Sequence, residues 1–251
     1  MAVVRAYIGL GANVGDARAT LTDAVHALAA LPGARLAGVS RLYVTSPVEV
    51  TDQPEFHNAV VALDVPAGRN GTGTDGDSAA ASGSGAGVGP AAAPAAATGP
   101  AAGSAAAPAK IESAPPAASP PGTTGPIALL LALKSIERAF GRRERYRYGP
   151  RELDLDLLLF GEERVLVERP EAGRSPDPAK VERLLEIPHP EAGRRLFVLA
   201  PLADLAPDLV PPGWTESVEQ ARARRELIEG ASAARAVAIW DAAVGAWVEP
   251  A

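Results

Sequence analysis

The chain has 251 residues, with 24 Lys and Arg against 30 Asp and Glu for a formal net charge of −6, no Cys, one Met and 4% aromatic residues. That length suits one or two soluble domains, and the lack of cysteine removes disulfides, thiolate metal sites and a cysteine nucleophile, so any metal must be held by oxygen or imidazole. The acidic balance argues against a general nucleic-acid binder, and the opening MAVVRAYIGLGANVG breaks its short apolar run at Gly9 and Gly11, unlike a signal peptide or a membrane span, so a cytoplasmic protein is expected.

Val3–Leu10 is a β-rich apolar run that predicts a strand. The Gly-rich stretch from Gly9 to Gly15 carries neither a full dinucleotide fingerprint nor a P-loop lysine, and reads as a tight turn. Asp16 opens a helix with Leu21, Val25, Leu28 and Leu31 on one face, closed by Pro32 and Gly33. Arg35–Val44 and Asn58–Val65 predict two further strands, joined by the Pro-punctuated loop Thr45–His57. From Pro66 to Pro126 the composition collapses to Ala, Gly, Pro, Ser and Thr, with no aromatic residue and only Arg69, Asp75, Asp77, Lys110 and Glu112 charged. Such a stretch buries too little apolar surface to offset its ordering entropy and reads as a disordered insertion. The alternative is a tether between two domains, but the 65 residues before it are near the lower limit for folding alone. The expectation is therefore a single domain, 1–251, interrupted by that insertion.

Ile127–Phe140 has helical spacing, and Leu153–Phe160 predicts the next strand. The order β-α-β-β-α-β is that of an α+β, ferredoxin-like split βαβ core. Beyond it, a short hairpin near Arg164–Val167, a loop at Glu171–Val181 and helical segments around Val181–Glu186 and Glu216–Gly230 are expected as C-terminal additions.

The sharpest chemical signal is RYGPRELDLDLLLFG, Arg147–Gly161. Alternate side chains of a strand share a face, so Asp154 and Asp156 project together, about 7 Å apart, while Leu153, Leu155 and Leu157 face the other way. An acidic outer face of a half-exposed strand is the plain explanation for an arbitrary D-x-D. Here the apolar run through Leu158, Leu159 and Phe160 implies a buried central strand, where unpaired carboxylates would be costly without a cation. Oxygen ligands beside phosphates suit Mg²⁺, and two ions about 4 Å apart can share such a pair. Upstream, Arg142, Arg143, Arg145, Arg147 and Arg151 interleave with Tyr146 and Tyr148. Taken alone this is a solvated basic loop as readily as a phosphate clamp; beside paired carboxylates it points to a nucleoside triphosphate site. His189 and the scarce aromatics Phe56 and Phe197 read first as structural.

With these pieces in view the sequence resembles the 6-hydroxymethyl-7,8-dihydropterin pyrophosphokinases of folate biosynthesis. The resemblance rests on GLGANVGD, SRLYVTSPVEVTDQPEFHNAVV, the E-x4-R step from Glu137 to Arg142, RYGPRELDLDLLLFG and IPHPEAGRRLFVLAPLADLAPDLV. It implies transfer of a diphosphate from ATP to the pterin hydroxymethyl oxygen, with AMP leaving. Asp154 and Asp156 would bind two Mg²⁺ ions. Arg142 and Arg151 would neutralise triphosphate charge and, with the two aspartates, carry catalysis. His189 and Arg195 would complete the nucleotide pocket, with Glu137 and Leu157 near the nucleoside. Phe56 and Phe197 would stack on the pterin, whose hydrogen-bonding edge would be read by Asn58 and the segment Thr45, Ser46, Pro47 and Val48. ATP and the pterin are the implied partners, with no nucleic acid or membrane and a monomeric chain.

The sequence departs from the family pattern at Ser46, Lys134, Tyr148 and Pro190, and the loop from Arg142 to Asp154 is one residue short, leaving Arg143 and Arg145 as alternatives for the second loop arginine. A sheet-based RNA-binding module and a non-catalytic homologue are the competing readings. Against them stand the net acidity and missing aromatic RNA-binding strand on one side, and both aspartates, Arg142, Arg151 and His189 on the other.

Overall fold

The computed structural model describes residues 2–46, 52–67, 125–141, 151–174 and 183–250. All of them belong to one unit, Met1–Asn70 together with Pro115–Ala251. The interior of the expected insertion, 68–124, lies outside the described residues, as do the loop arginines 142–147 and Tyr148. At its margins Pro66 closes a strand, and Gly125 and Pro126 open a helix.

The order is β1 (Val3–Ala12), α1 (Ala17–Ala29), β2 (Arg35–Val39), β3 (Leu42–Thr45), β4 (Phe56–Pro66), α2 (Gly125–Ala139) and β5 (Asp154–Phe160). The sheet runs β5-β1-β4, with β2 and β3 both pairing to β4. This is the antiparallel order of the ferredoxin-like fold, with its second strand broken in two. The break falls at Ser40. Its N–H donates to the Val60 carbonyl at 2.9 Å, while its hydroxyl accepts the Val60 N–H at 2.9 Å in place of a backbone carbonyl. The freed Ser40 carbonyl accepts from Trp247 Nε1 at 2.9 Å. One residue thus interrupts the expected Arg35–Val44 strand with its side chain and, through its carbonyl, ties it to the C-terminal region.

The first glycines of GLGANVG are strand residues: Gly9 and Gly11 lie within β1, and the turn follows at Asn13–Asp16, where Gly15 adopts φ +63°. Asp16 then caps α1 by accepting the Ala19 N–H at 3.0 Å. Leu21, Val25 and Leu28 of α1 and Leu129, Leu133 and Ile136 of α2 pack on one face of the sheet, against Ile8, Leu10, Val61, Leu63, Leu153 and Leu155.

The other face is covered by α3 (Leu196–Ala203) and α4 (Val218–Glu229), over Tyr7, Val60, Ala62, Leu158 and Leu159. Between β5 and α3 in sequence, β6 (Val165–Val167) pairs with β7 (Leu185–Ile187) as a separate two-stranded sheet. The 181–186 segment was expected to be helical; from Leu185 it is strand, because Leu185 and Ile187 are buried at 2% each with Glu186 exposed between them, a period of two. β8 (Arg235–Asp241) and β9 (Ala246–Val248) form a C-terminal hairpin that extends the main sheet from β3, an addition the sequence reading did not locate. Among the described residues no helix is long and apolar enough to cross a membrane.

Among the described residues β5 pairs on one side only, with β1, so it is an edge strand and not the central strand expected. Three of its outward backbone groups are nonetheless occupied. The Leu155 N–H donates to Glu137 Oε1 at 2.8 Å, the Leu155 carbonyl accepts from Lys134 Nζ at 3.3 Å, and the Leu158 carbonyl accepts the His189 N–H at 2.8 Å. α2 and the chain after β7 therefore do the work of a neighbouring strand.

Candidate active site

Three strands define the floor of a cleft of about 300 Å³. In register, Gly11 of β1 stands between Asn58 of β4 and Asp154 of β5, and Gly9 stands between Val60 and Asp156. Adjacent strands lie roughly 4.8 Å apart, so Asn58 and Asp154 are separated by about two such spacings across a glycine. A Cβ on Gly11 would approach Asn58 Oδ1 to 3.3 Å. The two glycines keep the middle of the floor flat, leaving room for a ligand between the amide and the carboxylates.

Asp154 and Asp156 both line this cleft, as the strand alternation predicts, while Leu153, Leu155 and Leu157 face the core at 0%, 1% and 4% exposure. Asp154 forms an ion pair with Arg151. Arg151 is held from behind by Asn13, which is only 4% exposed: the Arg151 N–H donates to Asn13 Oδ1 at 2.8 Å, and the Asn13 N–H donates to the Arg151 carbonyl at 3.0 Å. Asn13 Nδ2 also donates to Gln53 Oε1 and the Pro54 carbonyl, both at 3.2 Å. One buried amide thus joins the arginine beside the carboxylates to the segment leading into Phe56.

Asn58 is buried, and its Nδ2 donates to Thr45 Oγ1 at 2.9 Å, which turns Oδ1 toward the floor over Gly11. Phe56 and Phe197 are partly exposed cleft residues, and Thr45, Ser46, His189 and Arg195 also line it. Arg195 lies 3.2 Å from Glu191 and places its guanidinium 6.0 Å from the centre of the Phe197 ring. Pro47, Val48 and Arg142 lie outside the described residues.

Two expected residues stand apart from the cleft wall. Leu157 is a core side chain of the α2 face, and Glu137, 1% exposed, is committed to Lys134 and the Leu155 N–H. Conversely, Arg169 and Arg183 line the cleft and were not singled out from the sequence. Burial pushes the Arg169 guanidinium below its ordinary range, against the attraction of Asp156 and with the repulsion of Arg183. Each arginine closes a V-E-R tripeptide, at 167–169 and 181–183, and nothing in that local pattern sets it apart from a solvated arginine.

A larger groove of about 680 Å³ lies among β3, β8, α3 and α4. Arg41 pairs with Asp204 and Arg222 with Glu219 and Glu226, over a floor rich in alanine. The smaller cleft is the one where carboxylates, guanidinium groups and partly exposed aromatics converge.

Known proteins of one family match most of the chain. The sequence profile of the 7,8-dihydro-6-hydroxymethylpterin-pyrophosphokinase family matches residues 7–70 and 118–207. A Pseudomonas aeruginosa 2-amino-4-hydroxy-6-hydroxymethyldihydropteridine pyrophosphokinase is 32% identical over 210 residues, covering 84% of this chain and 85% of its own. The protein of that name from Methylorubrum extorquens is 32% identical over 222 residues, covering 88% and 94% respectively. Among solved structures, wild-type Plasmodium falciparum HPPK-DHPS superposes with a TM-score of 0.57 at 11% identity, over 99% of this chain and 50% of that one, a likeness of fold. This chain spans about half the length of that larger protein. The chain is a member of the 7,8-dihydro-6-hydroxymethylpterin-pyrophosphokinase family.

Proposed function

We propose that this cleft transfers a diphosphate group from ATP to the hydroxymethyl oxygen of 6-hydroxymethyl-7,8-dihydropterin, a step of folate biosynthesis. The row Asn58–Gly11–Asp154 carries the reading, because it sets an amide suited to a heterocycle edge beside paired carboxylates on an open floor. The substrate oxygen bonds to the β-phosphorus, the bond from that phosphorus to the bridging α-oxygen breaks, and AMP leaves with that oxygen while the hydroxyl proton is released. None of the lining residues stands out as a general base, so the chain's contribution is positioning and charge neutralisation.

Asp154 and Asp156 suit Mg²⁺. No group of three or more His, Cys, Asp or Glu side chains that could hold a metal occurs among the described residues, and Mg²⁺ is commonly held by one or two carboxylates with substrate phosphates and water completing the shell. When bound there, Mg²⁺ would neutralise phosphate charge and orient the triphosphate; the family resemblance implies two such ions. Arg151, and Arg142 from the loop before it, neutralise the triphosphate, with His189 and Arg195 nearby and Arg169 and Arg183 adding positive charge to the same cleft. Phe56 and Phe197 stack on the pterin, and Asn58 Oδ1, with the Thr45–Val48 segment, reads its hydrogen-bonding edge.

Chromatography of ATP incubated with Mg²⁺, with and without the pterin, tests this. AMP that depends on the pterin, without ADP, is the expected result; its absence from folded protein rejects the reading. Asp154→Ala and Asp156→Ala should each lower kcat on the order of 10³-fold, as loss of several kcal/mol of charge stabilisation implies. Wild-type kcat in either variant rejects the metal role.

A further inference from the structure

Lys134 and Glu137, one turn apart on α2, are buried at 6% and 1% exposure. Nζ donates to both Glu137 oxygens, at 2.8 and 2.9 Å. Such a pair is a poor source of stability, because desolvating two charges offsets their attraction and apolar residues of similar volume often serve as well. What an apolar pair lacks is a donor and an acceptor for one backbone residue. Nζ also donates to the Leu155 carbonyl at 3.3 Å, and Glu137 Oε1 accepts the Leu155 N–H at 2.8 Å.

Leu155 is the residue between the two aspartates. Its N–H belongs to the peptide unit that joins it to Asp154, and its carbonyl to the unit that joins it to Asp156. We propose that the Lys134–Glu137 pair is a positioning device for Asp154 and Asp156: by fixing both peptide units between them it sets the spacing and common direction of the two carboxylates, and so the strength of divalent-cation binding. Among the described residues β5 has no ladder partner on that side to do this. The device rests on the cation role given to the aspartates above.

Two double variants separate the pins from the charges. Lys134→Gln with Glu137→Gln keeps a donor and an acceptor without charge; Lys134→Met with Glu137→Leu keeps volume and removes both. The readouts are Mn²⁺ uptake in the presence of α,β-methylene ATP, followed by the electron paramagnetic resonance signal of free Mn²⁺, and the Tm in EDTA. The Met/Leu variant should bind Mn²⁺ about 10-fold more weakly or worse, the range typical when groups that orient metal ligands are lost, while the Gln/Gln variant stays within about 3-fold of wild type. Should the Met/Leu variant not fold, Lys134→Gln with Glu137→Leu removes the acceptor alone and should still weaken uptake. Mn²⁺ uptake unchanged in a folded variant that lacks the acceptor, or weakened equally in the Gln/Gln variant, overturns the positioning role. Failure of wild type itself to take up Mn²⁺ with the nucleotide overturns the metal reading, and this role with it.

Discussion

An alanine at position 11 would place one methyl group 3.3 Å from Asn58 Oδ1, in the gap between that amide and Asp154. Gly11→Ala should therefore raise the KM for the pterin by about 10-fold or more, the cost of roughly 1.4 kcal/mol, with a smaller effect on Tm; steady-state kinetics and a melting curve separate the two. Asn13→Ala leaves the Arg151 N–H without its buried acceptor, which should cost about 1–3 kcal/mol in denaturant unfolding and lower kcat through a looser Arg151. His57 sits between Phe56 and Asn58 in β4 but is not a cleft residue, and its Nδ1 is buried with no hydrogen-bond partner. Burial lowers its proton affinity, opposed by Glu55 and Asp16 and reinforced by Arg18. The neutral ring is thus favoured in the folded chain, whereas the unfolded chain takes up a proton near pH 6.5, so His57 costs stability as the pH falls below about 6.5. His57→Leu should flatten the fall in Tm between about pH 7 and 5; an unchanged slope would discard this account. The paired aspartates and Arg151 were legible because strand alternation and one dense motif name them without tertiary information. Glu137 was legible only by resemblance, and its position behind β5 depends on the packing of α2, which no local pattern encodes. Arg169 and Arg183 were missed because a guanidinium in a loop looks the same whether it faces solvent or a cleft.

The βαββαβ order could be read because α1 and α2 each carry an apolar stripe at helical period, while β1 and β4 are long apolar runs, β4 buried on both faces. Shorter elements escaped for separable reasons. α3 is apolar nearly all round and contains Pro201, so it presents no amphipathic stripe and carries a helix breaker. β7 has only three residues, too few for its alternation to outweigh the helical look of Val181–Glu186. The break between β2 and β3 turns on the hydroxyl of Ser40, 1% exposed, and a lone serine gives no such notice in sequence. Ser40→Ala removes the acceptor for the Val60 N–H, and a destabilisation of about 1–3 kcal/mol should follow in denaturant unfolding. A change below about 0.5 kcal/mol would mean that the strands rejoin into a regular ladder.

For the whole molecule, the composition of 66–126 bears on activity through where its ends attach. β4 runs 11 residues from Phe56, at the cleft, to Pro66, so the segment departs roughly 30 Å from Phe56 at strand rise. Replacing Asn70–Thr124 by a short Gly-Ser linker should leave kcat/KM within about 3-fold, since loop length changes closure entropy only slowly; a larger fall would give that segment a part in catalysis. The C-terminal hairpin has the opposite character, with Trp247 2% exposed and bonded to Ser40, and its removal should lower Tm. The side-chain and loop bonds along the outer edge of β5 bear on a different hazard. An apolar edge strand such as DLDLLLF, left with free amides, is a template on which a second chain can add and propagate into insoluble aggregate. With the outward groups of Leu155 and the Leu158 carbonyl already taken, this apolar edge offers a broken template for recruitment, and the acidic pair at its start adds charge repulsion between copies.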